Sequence, residues 1–495
     1  MTHATEWYRS KDARVTTTLY RAGCIVAFQE GDHRILHDGC LVVEDDRIRH
    51  VGTGYDGPVD RTVEVPDRIV TPGFINTHAH LDESPIDKSV QEDVGNRQFW
   101  LTGLIEVLPV EMAGLDEEGA RSCVDYSLVE LARTGTTTVV QMGGIADYVA
   151  DAVEASGLRG YVAPMYRSGR WSTPDGKRVD YTWDSDDGRA GFDAAVAFVE
   201  KLRGRAGGRV QGLLAPAQVD TCSEALLRDS RAASDDLEVP ISLHASQGVW
   251  EFQEMTRRHG RTPVEWLSDI GFLGPRTLLG HAIFLTGNSW VNFAGDDLSL
   301  LAASRTSVSY NAWCFIRRGI VMESFPDYIA AGVNMCLGTD TAPQSMIESL
   351  RWTAIAGKVA ARRTDVSTAR DVFDAATVNA ARLLGRDDLG RIAPGAKADL
   401  LFWRTDGFTM TPMRDPVRNI VYYAQPSDLA EVVVDGHTVV EDGRVLGADV
   451  AGATRRVQEA AERMWSRWPA ADWAKRSLDE VAPQTYAAFA PLLSD

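Results

Sequence analysis

The chain has 495 residues, of which 44% are hydrophobic, 24% charged and 8% aromatic. This composition is that of a globular protein and excludes a fibrous, coiled-coil or wholly disordered chain. The 51 basic and 70 acidic residues give a net charge of −19. A surface of that sign repels phosphate backbones and anionic lipid, so we expect a small-molecule substrate and neither a nucleic-acid nor a membrane partner.

Cysteine use and the N-terminal segment indicate the compartment. The six cysteines include no C-x-x-C pair, which argues against a zinc ribbon or a thioredoxin-type centre. The first residues, MTHATEWYRSKDARVTT, lack the apolar core of a signal peptide. No apolar run approaches the ~20 residues of a membrane span. These features predict a cytoplasmic protein.

Both ends of the chain carry short β-branched runs separated by turn signals such as Asp-Gly. The N-terminal runs fall within residues 1–68, and the C-terminal runs, within residues 391–450, are ADLLFWRT, NIVYYA and EVVVDGHTVVEDGRV. Together they predict a flanking β-sandwich made from N-terminal and C-terminal strands. A helical tail is predicted over residues 451–495.

The middle of the chain, residues 69–390, alternates apolar strands with helical stretches. Eight strand segments occur there: RIVTPGFINTHAH, TTTVVQM, RGYVAPMY, VQGLLAPAQV, VPISLHAS, RTLLGHAIFL, TSVSYNAW and GVNMCLGTDTA. Eight such alternations predict an α/β fold, a TIM-like (β/α)8 barrel. Active sites of such barrels lie at the carboxyl ends of the strands.

Four of the ten histidines and one aspartate lie at these strand ends: His78, His80, His244, His281 and Asp340. Residues two apart on a strand point the same way, so His78 and His80 can both present nitrogen to one ion. Mixed nitrogen and oxygen ligands with one open position are typical of a metal site that activates water. We therefore expect one divalent metal, with Zn²⁺ favoured over Fe²⁺ or Mn²⁺.

Several motifs together resemble the amidohydrolase superfamily: VTPGFINTHAHLDES, GTTTVVQMG, GHAIFLT, LGTDTA and ATVNAARLLGRDDLGRIAPGAKADLLFW. The nearer match is the aminohydrolase and chlorohydrolase branch, which includes triazine hydrolases and guanine, cytosine and adenosylhomocysteine deaminases. The resemblance implies His78, His80, His244 and Asp340 as metal ligands. It also implies Asp340 as general base and His281 as the residue that polarises the substrate or holds the attacking water. Dimers or larger homo-oligomers are common in this branch.

The fifth strand departs from the branch, whose deaminases usually carry His-x-x-Glu there. Gln247 occupies the position of that glutamate, and an amide cannot exchange a proton near neutral pH. Three explanations stay open. Asp340 and His281 manage all proton transfer, Glu251 or Glu254 reaches in from the following helix, or catalysis is lost.

Other departures and candidates concern the substrate. Ala217 stands where purine-type deaminases of the branch often have histidine, so a guanine or adenosine substrate is not inherited. Gln141, Asn311 and Trp313 are candidate substrate-binding residues. Arg317 and Arg318 fit an anionic substrate, with a solvated face as the default interpretation. The segment 82–108 is a candidate lid over the site.

The predicted function is hydrolysis of a C–N bond in a small N-heterocycle, cyclic amidine or cyclic urea by metal-activated water, releasing ammonia or an amine. The alternatives are hydrolytic dehalogenation, or amide or carbamate cleavage, at the same site. A further alternative is a catalytically silent relative that keeps the pocket for ligand binding.

Overall fold

The computed structural model describes residues 16–100 and 103–489. The N-terminal residues 1–15, on which the expectation about a signal peptide rests, lie outside this part, as do residues 490–495 of the predicted helical tail. Among the described residues, no helix combines the length and apolar character needed to cross a membrane.

Nineteen strands are formed within the described ranges. The N-terminal strands are β1 (Thr17–Gln29), β2 (Asp32–Glu44), β3 (Arg47–Gly52) and β4 (Arg61–Pro72). The middle strands are β5 (Phe74–Ala79), β6 (Thr136–Gly143), β7 (Arg159–Tyr166), β8 (Gly169–Ser172), β9 (Asp180–Trp183), β10 (Val210–Gly212), β11 (Ala215–Pro216), β12 (Ile241–Ala245), β13 (Thr277–His281), β14 (Ser307–Tyr310) and β15 (Asn334–Leu337). The C-terminal strands are β16 (Leu400–Arg404), β17 (Leu429–Val434), β18 (His437–Glu441) and β19 (Arg444–Val445).

Helices follow most of the middle strands and form the C-terminal segment. They are α1 (Leu108–Gly114), α2 (Glu117–Arg133), α3 (Ala146–Ser156), α4 (Arg189–Lys201), α5 (Glu224–Leu237), α6 (Val249–His259), α7 (Pro263–Asp269), α8 (Asp297–Ser304), α9 (Ala312–Ile316), α10 (Phe325–Ala330), α11 (Met346–Ala361), α12 (Ala369–Ala375), α13 (Val378–Leu383), α14 (Pro416–Tyr423), α15 (Val450–Ala471) and α16 (Leu478–Val481). The predicted C-terminal helical segment is therefore present.

The middle strands form two parallel arcs. One arc has the order β10-β7-β6-β5, with β11 also pairing with β7, and the other has the order β12-β13-β14-β15. Isolated parallel bridges connect the edges of the arcs, at Leu214–Ile241 and Gln218–His244 on one side and at Ala79–Asp340 on the other. The eight predicted strand segments are all present, in chain order, although single bridges rather than ladders connect the two arcs.

Successive side chains along these strands point alternately to two different parts of the hydrophobic core. Val139 and Leu279 lie in the large cluster between strands and helices, whereas their neighbours Val140 and Leu278 lie in an inner cluster. The inner cluster is closed by Leu383 and its neighbours on α13. The apolar side chains therefore fill the interior below the strand ends, and the polar side chains are left at the carboxyl ends.

The N-terminal and C-terminal strands, predicted to form a flanking β-sandwich, join in one eight-stranded sheet. Its order is β19-β18-β17-β16-β4-β1-β2-β3. The two sets join because β16 pairs antiparallel with β4, which itself pairs parallel with β1. Arg159, on β7, has a buried guanidinium group. It forms an ion pair with Asp399, the residue before β16 of this sheet, with 3.2 Å between nitrogen and oxygen.

The strand predicted at NIVYYA is wrong, because these residues lie in and just after helix α14. The side chain of Asp415 accepts a hydrogen bond from the backbone nitrogen of Arg418, and Pro416 occupies the first turn. Capping by aspartate and a proline at the first helical position both favour a helix start. Local capping therefore outweighs the β propensity of Ile420, Val421 and Tyr422.

Candidate active site

Four imidazoles and one carboxylate meet at the carboxyl ends of the parallel strands. We call this set the histidine cluster: His78, His80, His244, His281 and Asp340. The carboxylate Oδ1 of Asp340 lies 3.6 Å from His78 Nε2 and 3.5 Å from His80 Nε2. The Nε2 atoms of His80 and His244 are 3.2 Å apart. Sequence spacing placed these side chains at strand ends, and the structure brings all five together.

Backbone carbonyl groups orient two of the imidazoles. His80 donates from Nδ1 to the carbonyl oxygen of Met142 at 2.8 Å, and His244 donates from Nδ1 to that of Ala217 at 2.5 Å. These bonds fix the tautomer and leave each Nε2 lone pair directed at the centre of the cluster. Both ring nitrogens of buried His78 lack a hydrogen-bond partner within the described chain.

A glycine allows the rings to pack this closely. A Cβ atom on Gly280 would lie 2.7 Å from Cε1 of His78, closer than side chains pack. A larger residue at that position would displace the imidazole from the cluster. Glycine at this point in β13 is therefore explained by the close approach of the ring.

Burial favours the neutral form of three imidazoles of the histidine cluster, those of His78, His244 and His281. It lowers the pKa of His78, and burial with the neighbouring imidazoles lowers the pKa of His244 well below its ordinary value of 6.5. Burial is also the main cause that lowers the pKa of His281, to about 3. Burial would raise the pKa of Asp340, but His281 and His78 hold it well below its usual range. Neutral imidazoles and an ionised carboxylate are the forms that bind metal.

These residues fit a divalent metal ion. The potential ligand atoms of His78, His80 and Asp340 all lie within 4.8 Å of one another, as do those of His78, His244 and His281. Unpartnered ring nitrogens in a buried site are costly unless something coordinates or hydrogen-bonds them. A mixed set of imidazole nitrogen and carboxylate oxygen suits Zn²⁺ and related transition metals.

Asn311 lies behind the histidine cluster and not on the cavity wall. Its amide nitrogen donates to Nδ1 of His281 at 2.6 Å, so His281 carries its own proton on Nε2. That Nε2 atom lies 3.8 Å from Oδ2 of Asp340. Asn311 therefore orients His281, and its role as a direct substrate contact is still a prediction.

The two other candidate substrate-binding residues are also absent from the cavity lining. Gln141 is fully buried at the end of β6, and neither polar atom of its side chain has a hydrogen-bond partner among the described residues. Trp313 packs against Trp352 with ring centroids 5.4 Å apart. The structure therefore gives Trp313 a packing contact, and substrate contact by either residue is still a prediction.

Gln247 belongs to a second polar group, which we call the amide chain: Gln247, Gln218 and Glu251. Nε2 of Gln247 donates to Oε1 of Gln218, and Nε2 of Gln218 donates to Oε2 of Glu251 at 3.2 Å. Gln218 is held beside His244 by a parallel bridge between the two arcs. Both glutamines line the cavity, and Glu251 lies fully buried behind them.

The two glutamates on α6 have different environments. Glu254 faces outward and forms ion pairs with Arg257 and Arg258, which removes it from the site. Glu251 folds back onto the start of α6, and burial raises its pKa well above the usual range, with Asp220 adding to the rise. Glu251 thus contacts the cavity residues through hydrogen bonds without lining the cavity itself.

The cavity above the histidine cluster has a volume of about 660 Å³. The candidate lid segment forms one wall through Glu83, Asp87, Gln91, Leu104 and Leu108. No motif pointed to Glu83, whose carboxyl pKa is raised well above its usual range by burial and by Asp82. A volume of this size accommodates a small organic molecule.

The default interpretation of Arg317 and Arg318 as a solvated face is wrong. Arg317 is buried and forms ion pairs with Asp87 at 3.0 Å and Glu92 at 2.6 Å. Arg318 lines the cavity and donates to Oε1 of Gln91. The acids Asp87 and Glu92 and the amide of Gln91 all belong to the candidate lid segment, and they hold both guanidinium groups away from solvent. These residues are far apart in the sequence, so local patterns do not predict the contact.

The model of the amidohydrolase family matches residues 69–439. A 5'-deoxyadenosine deaminase of Methanothermobacter thermautotrophicus is 30% identical over 412 residues, which cover 82% of this chain and 90% of that protein.

Two solved structures share the fold. An adenosine deaminase from Xanthomonas campestris with bound zinc aligns with a TM-score of 0.78 and 23% identity, covering 91% of this chain and 99% of that one. An atrazine chlorohydrolase from Arthrobacter aurescens with zinc aligns with a TM-score of 0.73 and 21% identity, covering 90% and 100%. These similarities imply a TIM barrel with a flanking sheet. The chain belongs to the amidohydrolase family and is a hydrolase that acts on carbon–nitrogen bonds.

Proposed function

We propose that this protein releases ammonia or an amine from a small nitrogen heterocycle, cyclic amidine or cyclic urea, using water and one divalent metal ion. The observation that carries the proposal is the histidine cluster, in which both ring nitrogens of buried His78 lack a hydrogen-bond partner among the described residues and the imidazoles converge beside an ionised carboxylate at the end of a cavity. Deamination is also the activity named for the relative from Methanothermobacter thermautotrophicus.

In this proposal His78, His80, His244 and Asp340 hold the metal. Zn²⁺ is the ion we favour, because tetrahedral sites of imidazole and carboxylate suit it. A bound ion of this kind would supply a Lewis acid, which lowers the pKa of water toward ~7 and polarises the substrate. Water activation by a metal ion needs imidazole and carboxylate groups close together, and the histidine cluster provides both.

The chain's own residues move and hold the protons. Asp340 is ionised and accepts the proton of the attacking water as general base. His281, with its proton on Nε2, donates a hydrogen bond to the oxygen or nitrogen that gains charge at the reacting carbon. Asn311 keeps that proton on Nε2. Gln247 hydrogen-bonds water or substrate but exchanges no proton.

The substrate belongs to a class of small neutral or weakly charged rings. The cavity volume of about 660 Å³ suits such a molecule. Ala217 stands where purine-type deaminases of the branch often have histidine, so we do not extend a purine substrate to this chain. Dehalogenation, or amide or carbamate cleavage, at the same site is the alternative within hydrolases.

The test is a turnover screen of the zinc-loaded protein against cyclic ureas, cyclic amidines, amino-heterocycles and chloro-heterocycles. The release of ammonia, amine and halide is measured for the zinc-loaded protein and, as a control, for the chelated protein. We expect ammonia or amine release that disappears on chelation and returns with metal. Halide release alone would favour the dehalogenation alternative, and no release by the fully loaded protein would refute the proposal.

A second candidate function has one specific observation in its favour. Gln247 cannot supply the proton transfer expected of glutamate at that position, so the chain could serve as a silent relative that binds a small ligand. The substitution Gln247→Glu separates the two. An inert wild type that gains deaminase activity with glutamate would favour the silent relative.

A further inference from the structure

The hydrogen bonds of the amide chain run in one direction. Oε1 of Glu251 accepts from the backbone nitrogen of Ser246 at 2.5 Å, and Oε2 accepts from that of Gln247 at 3.2 Å. Oε2 also accepts from Nε2 of Gln218 at 3.2 Å. Three donors thus point at the carboxyl group of Glu251, which is the acceptor end of the chain.

The same hydrogen bonds show how both amides lie. Gln218 presents its NH₂ group to Glu251 at 3.2 Å, so its oxygen faces Gln247. Gln247 in turn presents its NH₂ group to the oxygen of Gln218. Because each amide has one oxygen and one nitrogen, the oxygen Oε1 of Gln247 is left for the cavity. No hydrogen-bond donor for this oxygen is found among the described residues.

We infer that Gln247 offers the reacting molecule an acceptor, and that the site selects ligands with an N–H donor beside the reacting carbon. Gln218 and Glu251 are positioning residues that hold this orientation. The inference rests on the proposed function, since it names the ring chemistry which that site admits. Cyclic ureas, lactams and protonated amidines carry such a donor, whereas a ring with only a bare nitrogen there sets two lone pairs against each other.

The chemical contrast with glutamate explains why the residue type matters. A glutamate at this position could take up a proton and then donate it to a bare ring nitrogen. The amide oxygen of Gln247 accepts hydrogen bonds and donates none. A substrate whose ring nitrogen already carries its proton needs no donor there, and this agrees with Asp340 and His281 carrying the proton transfers.

The orientation is tested directly by neutron diffraction from a deuterated crystal of the zinc-loaded protein. We expect both deuterons of the Gln247 amide on the atom that faces Gln218, and oxygen facing the cavity. The reversed amide, with its nitrogen facing the cavity, would overturn the inference. This result is independent of turnover, so failure of the activity screen and failure of the inference are distinguishable.

A ligand pair tests the consequence in solution. Calorimetric titration of zinc-loaded protein compares uracil, which has two N–H donors, with 1,3-dimethyluracil, which has none. We expect uracil to bind about tenfold more tightly or better, the scale of one unpaired buried hydrogen-bonding group. Equal binding, or tighter binding of the methylated ring, would contradict the inference.

Substitutions separate hydrogen bonding from the bulk of the methyl groups. In Gln218→Met the Gln247 amide is free to turn, so we expect the preference for uracil to fall at least about threefold while zinc content stays unchanged. Gln253→Met, at an exposed position on α6, should keep the wild-type preference. An unchanged preference in Gln218→Met would mean that the methyl groups act by size alone, and would overturn the positioning role of Gln218.

Discussion

The histidine cluster and the amide chain lie side by side in one cavity, but different parts of the fold hold them. In the histidine cluster, strand ends place the side chains, and carbonyl oxygens of Met142 and Ala217 orient two rings. In the amide chain, the backbone N–H groups of Ser246 and Gln247, in the turn before α6, orient Glu251, and the side chains then orient each other. The first arrangement suits a metal ion, and the second suits recognition of one face of a ligand.

The largest expected effect comes from breaking the histidine cluster. Asp340→Ala removes a metal ligand and the general base together, so turnover should fall by about 10³-fold or more and zinc content should drop. Kinetics and elemental analysis of the same preparation measure both. His37→Ala, at an exposed histidine, is the control. Full activity in Asp340→Ala would refute the site.

A smaller effect is expected from changing the amide chain. Gln247→Glu replaces the NH₂ group that faces Gln218 with a second oxygen, so that two oxygens oppose each other there. We expect kcat/KM to fall about 10- to 100-fold, the scale of leaving a buried polar group unsatisfied, while zinc stays bound. A simultaneous loss of zinc would show that the amide chain and the histidine cluster are not separate units.

Changing Asn311 tests whether the reaction depends on the proton of His281 being on Nε2. Asn311→Asp offers an acceptor to Nδ1, which draws the proton away from Nε2. We expect kcat to fall by about tenfold, the lower end of effects seen when partners of active-site groups are changed. Steady-state kinetics measures kcat, and zinc analysis of the same preparation checks that the metal content is unchanged. An unchanged kcat would mean that the tautomer of His281 does not matter to the reaction.

The smallest effect concerns pH. An imidazole with an ordinary pKa of 6.5 becomes protonated as pH falls through that value and then releases metal. The pKa values of His78 and His244 lie below 6.5, so their neutral form persists as the solution is acidified. We expect zinc to stay bound after dialysis at pH 6. Release with a midpoint near 6.5 would show that burial does not protect these ligands.

The part of the site that lies at strand ends could be predicted from the sequence. His78, His80, His244, His281 and Asp340 each follow a recognisable apolar run, and parallel strands bring such ends to one place, so their meeting could be expected. The apolar segments of the middle region likewise predicted the eight parallel strands. In both cases the signal is local and repeats along the chain.

Side-chain hydrogen bonding could not be read from the sequence. Sequence analysis left open whether Glu251 reaches in from α6, and its carboxylate accepts from the backbone N–H groups of Ser246 and Gln247, just before that helix. Gln218 gave no signal, since its position depends on a bridge between the two arcs. Arg318 turned inward because the lid segment supplies Gln91. Each contact joins residues whose proximity only the assembled fold creates.

The most direct test of the account is elemental analysis of the purified protein, before chelation, after chelation and after reconstitution. The account predicts about one divalent metal per chain, held by the histidine cluster and absent from Asp340→Ala. A protein that takes up no metal even after reconstitution would contradict it, and the ligand-binding relative would then be the better description.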